Sequence, residues 1–133
     1  IERNDKVSDL PSQRMLSNED EVKKYLLENN FISVKLHELK FIEQVKLFYN
    51  AKFIVGLHGS GFANTVFCEE GTNVIEFRSN NAGAVIENLS KKNNLNYQSI
   101  ISESEPIYNF KSPTQQGKIE ISINQLNKII KGK

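Results

Sequence analysis

The most constraining feature of this chain is residues 52–64. There an apolar, β-branched run, Lys52-Phe53-Ile54-Val55-Gly56-Leu57, passes directly into His58-Gly59-Ser60-Gly61-Phe62-Ala63-Asn64. Because the run is apolar at both odd and even positions, it has the pattern of a central parallel strand buried on both faces. Parallel neighbours need crossover connections, usually helices, so this segment alone favours an α/β fold. The glycines at 56, 59 and 61 allow close backbone approach and positive φ. The short apolar segment through Phe67 then supplies one or two helical turns. A strand that hands over to a helix start presents unpaired N–H groups and a partial positive charge, which suits a phosphate.

The flanking sequence agrees with that architecture. Ile1-Glu2-Arg3 reads as the tail of a strand, so the chain is expected to be a fragment, and residues 4–16, with Pro11, read as a loop. Ser17 or Asn18 followed by Asp20 or Glu21 has capping-box spacing, and Val22, Tyr25 and Leu26 continue at helical spacing, predicting a helix over 19–29. Phe31–Leu36 is β-rich and predicts a strand. Phe41, Ile42, Val45 and Phe48 share one helical face and predict a helix over 40–50 with a core stripe at 41–48. Further on come a turn at 69–72, a strand at 73–77, a helix at 82–92 and a strand at 95–101. A polar loop over 102–118, with a short extended piece at 107–110, precedes a closing helix at 123–130. Strands alternating with helices in this order predict a parallel sheet with helices on both faces. In such sheets ligands bind beyond the carboxyl ends of strands, here after Leu57 and after Ile1.

Composition bounds the function. The chain has 133 residues, one domain's worth, and a net charge of +1, which gives no argument for nucleic acid as a partner. Cys68 is the lone cysteine, so an internal disulfide and a cysteine-based zinc site are excluded. It reads as a buried small residue. The two histidines are far apart with no accompanying carboxylate pattern, so no metal is expected. No apolar run reaches membrane-spanning length, and no signal peptide is visible. Asn88-Leu89-Ser90 fits a glycosylation sequon but falls within a predicted helix and is read as chance.

Within the informative stretch, His58 leaves the strand toward the ligand-binding edge, where its ring suits a phosphate or sugar hydroxyl. Asn64 is placed to contact a ligand or to brace the loop. Glu76 ends the next predicted strand at the same edge and suits either a ribose hydroxyl or a structural bond. His37 has no glycine neighbours and reads as a surface residue. A nucleophile elbow would need glycine at 58 and 62, which are His and Phe. A dinucleotide fingerprint fails at Asn64, which counts against a nicotinamide-dependent oxidoreductase.

These letters resemble a known family. Phe53 to Asn64, Val66-Phe67 and Gly71-Thr72-Asn73-Val74-Ile75-Glu76 are similar to the hallmark of glycosyltransferase family 61. Arg3, the segment Arg14 to Glu19 and the segment Leu39 to Phe48 extend the likeness upstream, so that it covers about residues 1–90. The resemblance implies the C-terminal, Rossmann-like half of a two-domain GT-B enzyme. Residues 1–133 would then be a single donor-binding domain without the acceptor half, inactive alone. It implies transfer of a sugar from a UDP-linked donor to a glycan or glycoprotein acceptor, with inversion, no obligatory metal and no cofactor beyond the donor. It also implies that Arg3 and Arg14 bind the diphosphate and that His58, Gly59, Gly61 and Asn64 line the donor pocket; Ser60, within the same loop, and Glu76 are added as donor-site candidates from their positions. Ser60 stands where alanine is usual, Phe62 where leucine is usual, and Gln13 where the family has a second arginine. The compartment stays open: relatives work at the cytosolic face in bacteria and in the secretory pathway in eukaryotes. The other reading is a non-catalytic Rossmann-like nucleotide-binding module.

Overall fold

The computed structural model describes residues 1–2, 15–103 and 118–132. The architecture is mixed α/β, with parallel strands between two helical layers. Its centre is a three-stranded parallel ladder in the order β2 (Phe53–Leu57), β3 (Asn73–Ser79), β4 (Asn96–Ser102). Phe53 faces Asn73, and the register runs through to Leu57 beside Phe77. On the outer side of β2, the Ile1 amino nitrogen donates to Val55 O at 2.6 Å. The Glu2 N–H donates to Val34 O at 2.7 Å. Ile1-Glu2 thus lies between β2 and the 31–35 segment, but it forms no strand, and Arg3 lies outside the described residues.

Side chains of successive strand residues point to opposite faces. Val55, Ile75, Phe77 and Ile100 therefore share a core with Val22 of α1 (Glu19–Glu28) and Leu126 of α4 (Ile123–Lys131). Ile54 and Val74 belong to the other core. It also holds Phe48 of α2 (Phe41–Tyr49), Phe62 of a 3-10 helix (Ser60–Phe67) and Ile86 of α3 (Val85–Lys92). The helices do lie on both faces. Among the described residues no helix is long and apolar enough to cross a membrane.

The same device ends two helices. Asn30 and Asn94 take positive φ, 66° and 54°. The amides that follow, Phe31 N–H and Leu95 N–H, turn back to Leu26 O and Ser90 O. Asparagine tolerates this left-handed position better than most residues, so each Asn pair stops its helix and releases the chain toward the sheet.

Four expectations are corrected. Residues 31–35 carry no regular secondary structure instead of a strand, and Leu36–Glu38 is a short 3-10 turn. One ladder bond to Glu2 is too little pairing to make this segment part of the sheet. Asn18 is the N-cap of α1, yet its side chain makes no capping bond. Its amide instead clasps Ile121, donating to the carbonyl at 2.8 Å and accepting from the N–H at 3.0 Å. On α2 only Phe48 is buried, while Phe41 and Ile42 are 67% and 55% exposed, so the stripe at 41–48 is not all core. A second, two-stranded parallel pair, β1 (Met15–Leu16) with β5 (Lys118–Ile119), was not anticipated and ties the entry of α1 to the approach of α4. The extended piece at 107–110 lies outside the described residues.

Candidate functional site

The β2 strand delivers His58 to the carboxyl end of the sheet, where its N–H continues the ladder to Phe77 O at 2.8 Å. By alternation His58 shares a face with Ile54 and Gly56, the face of α2 and α3. Gly56 lies opposite Glu76 in register. A Cβ on Gly56 would come within 3.3 Å of Ile1 Cβ and 3.4 Å of Phe62 Cε2. One on Gly61 would meet Leu36 Cδ1 at 3.1 Å. Both glycines are needed for close approach: Gly56 lets the buried Phe62 ring settle on the strand, and Gly61 lets the loop close against Leu36 and Ile1. None of the loop's glycines is in the left-handed region that the sequence allowed for. Gly59 is extended, with φ 171°, and among the described residues Gly71 is the glycine with φ in that region, at 83°.

After Gly59 the chain enters the 3-10 helix, whose N-cap makes no side-chain bond. The first N–H groups of such a helix have no intrahelical acceptor and point back toward the strand end. Ser60 is exposed at this start. Asn64 braces the loop: its amide donates to Gln44 Oε1 at 2.8 Å. Gln44 in turn donates to Leu36 O at 2.8 Å and to Leu39 O at 3.2 Å. One α2 side chain thereby joins the loop to the segment before α2. Gln44→Ala is expected to lower stability by about 1–2 kcal/mol by orphaning these groups, read as a shifted urea midpoint. An unmoved midpoint would contradict the bracing.

Glu76 is not at a strand end, because β3 continues to Ser79. It sits between Ile75 and Phe77 and is 0% exposed. One carboxylate oxygen meets His58 Nδ1, and the other accepts from the Tyr97 hydroxyl of β4. Tyr97 is a partner that the sequence reading missed; no local pattern signals it, since the bond depends on the register of three strands. The His58 side chain keeps 12% of its surface exposed. Arg78, two residues on, donates from Nη2 to Ala82 O.

Burial first, and then the Glu76 carboxylate, push the Tyr97 phenol up to about 12 from its ordinary 10.0. The folded state holds this proton more tightly than the unfolded chain. Its stabilising contribution is therefore complete below pH about 10 and is lost as pH rises toward about 12. Cys68, whose thiol burial lifts to about 11, acts in an overlapping window. Urea unfolding at rising alkaline pH should show falling stability, with a shallower fall in Tyr97→Phe. Equal slopes would contradict this assignment.

Arg3 and Arg14 lie outside the described residues. His37 is exposed, near Glu38 on the 3-10 turn. Among the described residues no three His, Cys, Asp or Glu side chains cluster closely enough to hold a metal ion. An apolar crevice under α1, lined by Val22, Leu26, Phe31, Val55, Leu57 and Phe77, opens on the sheet face opposite the His58 ring and does not include it.

A parallel sheet carries a glycine-rich loop and an imidazole at its carboxyl edge, the edge at which α/β domains hold their ligands. The family model for glycosyltransferase 61 matches residues 2–75, more than half the chain and the whole of β2 and the glycine loop. The chain belongs to glycosyltransferase family 61. No curated protein matches it in a sequence search.

Proposed function

We propose that this domain is the Rossmann-like donor half of a GT-B glycosyltransferase. It binds a UDP-sugar at the β2 loop for transfer, with inversion, to a glycan or glycoprotein acceptor held by residues outside this chain. The observation that carries the reading is the placement of His58 at the carboxyl end of β2, followed at once by Gly59, Ser60 and Gly61 and an uncapped helix start. Breaking a sugar–phosphate bond leaves negative charge on the diphosphate. Backbone amides and an imidazole donor stabilise that charge without a metal, and Arg3 and Arg14 would add charge-assisted bonds. Gly59 leaves the loop backbone bare for the phosphates, Gly61 lets the loop close against Leu36, and Asn64 holds it in shape from behind. Acceptor activation needs a general base, which this reading leaves to the acceptor side. The domain alone would bind donor and transfer nothing.

Calorimetric titration with UDP and UDP-sugars tests this. Binding is expected in the wild type and at least about tenfold weaker binding in His58→Asn, the loss of one charge-assisted bond. Asparagine is chosen because its amide can still reach Glu76. Absence of binding to every UDP compound would favour a non-catalytic module, and a response to NAD alone would favour an oxidoreductase.

A further inference from the structure

Three neighbouring strands converge on one carboxylate. Glu76 is fully buried on β3, flanked in sequence by Ile75 and Phe77, each 1% exposed. It is engaged by His58 from β2 and Tyr97 from β4. A charge in such a place is costly to desolvate, and a well-packed apolar side chain there is often as stable or more so. Its presence there is explained if the carboxylate does something that packing cannot. With no exposed surface, it cannot touch a ligand itself.

We propose that Glu76 is a positioning residue for the donor site, fixing the His58 imidazole in a single tautomer and rotamer, with Nδ1–H directed inward, and that Tyr97 holds the carboxylate in place for this task. The inference rests on the reading of His58 as a donor contact. An ionised carboxylate only accepts hydrogen bonds, so the imidazole nitrogen that meets it must carry the proton. Tyr97, a phenol that keeps its proton at physiological pH, donates its hydroxyl to the second oxygen. With both oxygens committed, the carboxylate cannot swing, and the ring cannot flip without breaking a buried bond. Imidazoles held this way by a carboxylate recur wherever ring orientation matters to function.

Glu76→Gln, His58→Asn and the double variant, made in the full chain, separate this role from simple packing. Glu76→Gln keeps the side chain's size and should weaken UDP binding about tenfold. Added to His58→Asn it should weaken binding no further, because it acts only through the ring. The ring 15N spectrum of the free protein should show Nδ1–H for His58 in the wild type and a changed pattern in Glu76→Gln. Unaltered UDP binding in Glu76→Gln, full additivity in the double variant, or an unchanged ring spectrum would each overturn the proposal. If the wild type binds no UDP, the donor-site reading fails. The ring spectra still decide the positioning role: loss of the Nδ1–H pattern in Glu76→Gln sustains it and persistence refutes it. Should Glu76→Gln fail to fold, Tyr97→Phe replaces it, with a disturbed ring spectrum supporting the proposal and an undisturbed one overturning it.

Discussion

His58→Ala is expected to damage the protein twice over, and His58→Asn only once. Alanine removes the ring's contact with the donor and also strips the buried Glu76 carboxylate of one of its two partners. An under-paired buried charge costs about 2–3 kcal/mol here, somewhat below the range for a fully enclosed pair because the ring keeps some exposure. Asparagine restores an amide donor for the carboxylate but offers nothing in place of Nε2. Chemical denaturation should therefore show a large loss for His58→Ala and a small one for His58→Asn, while both lose UDP affinity to a similar degree. Equal destabilisation by the two variants would mean that the Glu76 contact contributes little in solution.

Phe62→Ala is the second large effect. Phe62 is 1% exposed and its ring edge lies within contact distance of the space above Gly56. It also belongs to the core shared with Phe48, Ile54, Val74 and Ile86. Deleting a buried phenyl ring leaves a cavity and costs about 3–5 kcal/mol. A domain of this size has about 5–15 kcal/mol in total, so the variant should sit near the edge of folding. The ring is also the anchor that seats the 3-10 helix behind His58. Donor binding should fall together with stability, and it should recover in Phe62→Leu, which refills much of the space. Wild-type stability in Phe62→Ala would show that the loop is not anchored where the structure places it.

The sequence carried some of this plainly. An apolar run ending in His58 and three glycines can be read as a buried parallel strand turning into a helix, because burial on both faces and the glycine pattern are local facts. The alternation that splits Ile54 and Val74 from Val55 and Ile75 is local too. What was illegible depends on distant partners. Asn18 has the letters of an N-cap, yet Ile121, over a hundred residues away, claims its amide. Phe41 and Ile42 lie on a helical stripe, but periodicity does not say whether anything covers it. The pairs Met15–Leu16 and Lys118–Ile119 are too short to leave a periodic signal. Glu76 looked like a strand terminus because the apolar run stops at Phe77, whereas hydrogen bonding continues through Arg78 and Ser79 opposite Ile101 and Ser102. Its bond to Tyr97 exists only once three strands are in register. The sequence thus located the loop, and the fold revealed what stands behind it.

The ring of His58 is the group on which the account turns, and the chain has just two histidines, so their imidazole signals are easily told apart. Titrating UDP into 15N-histidine-labelled protein should shift the His58 ring resonances in a saturable way and leave the exposed His37 unmoved. If both rings stand still through the titration, or only His37 responds, the glycine loop is not the donor site.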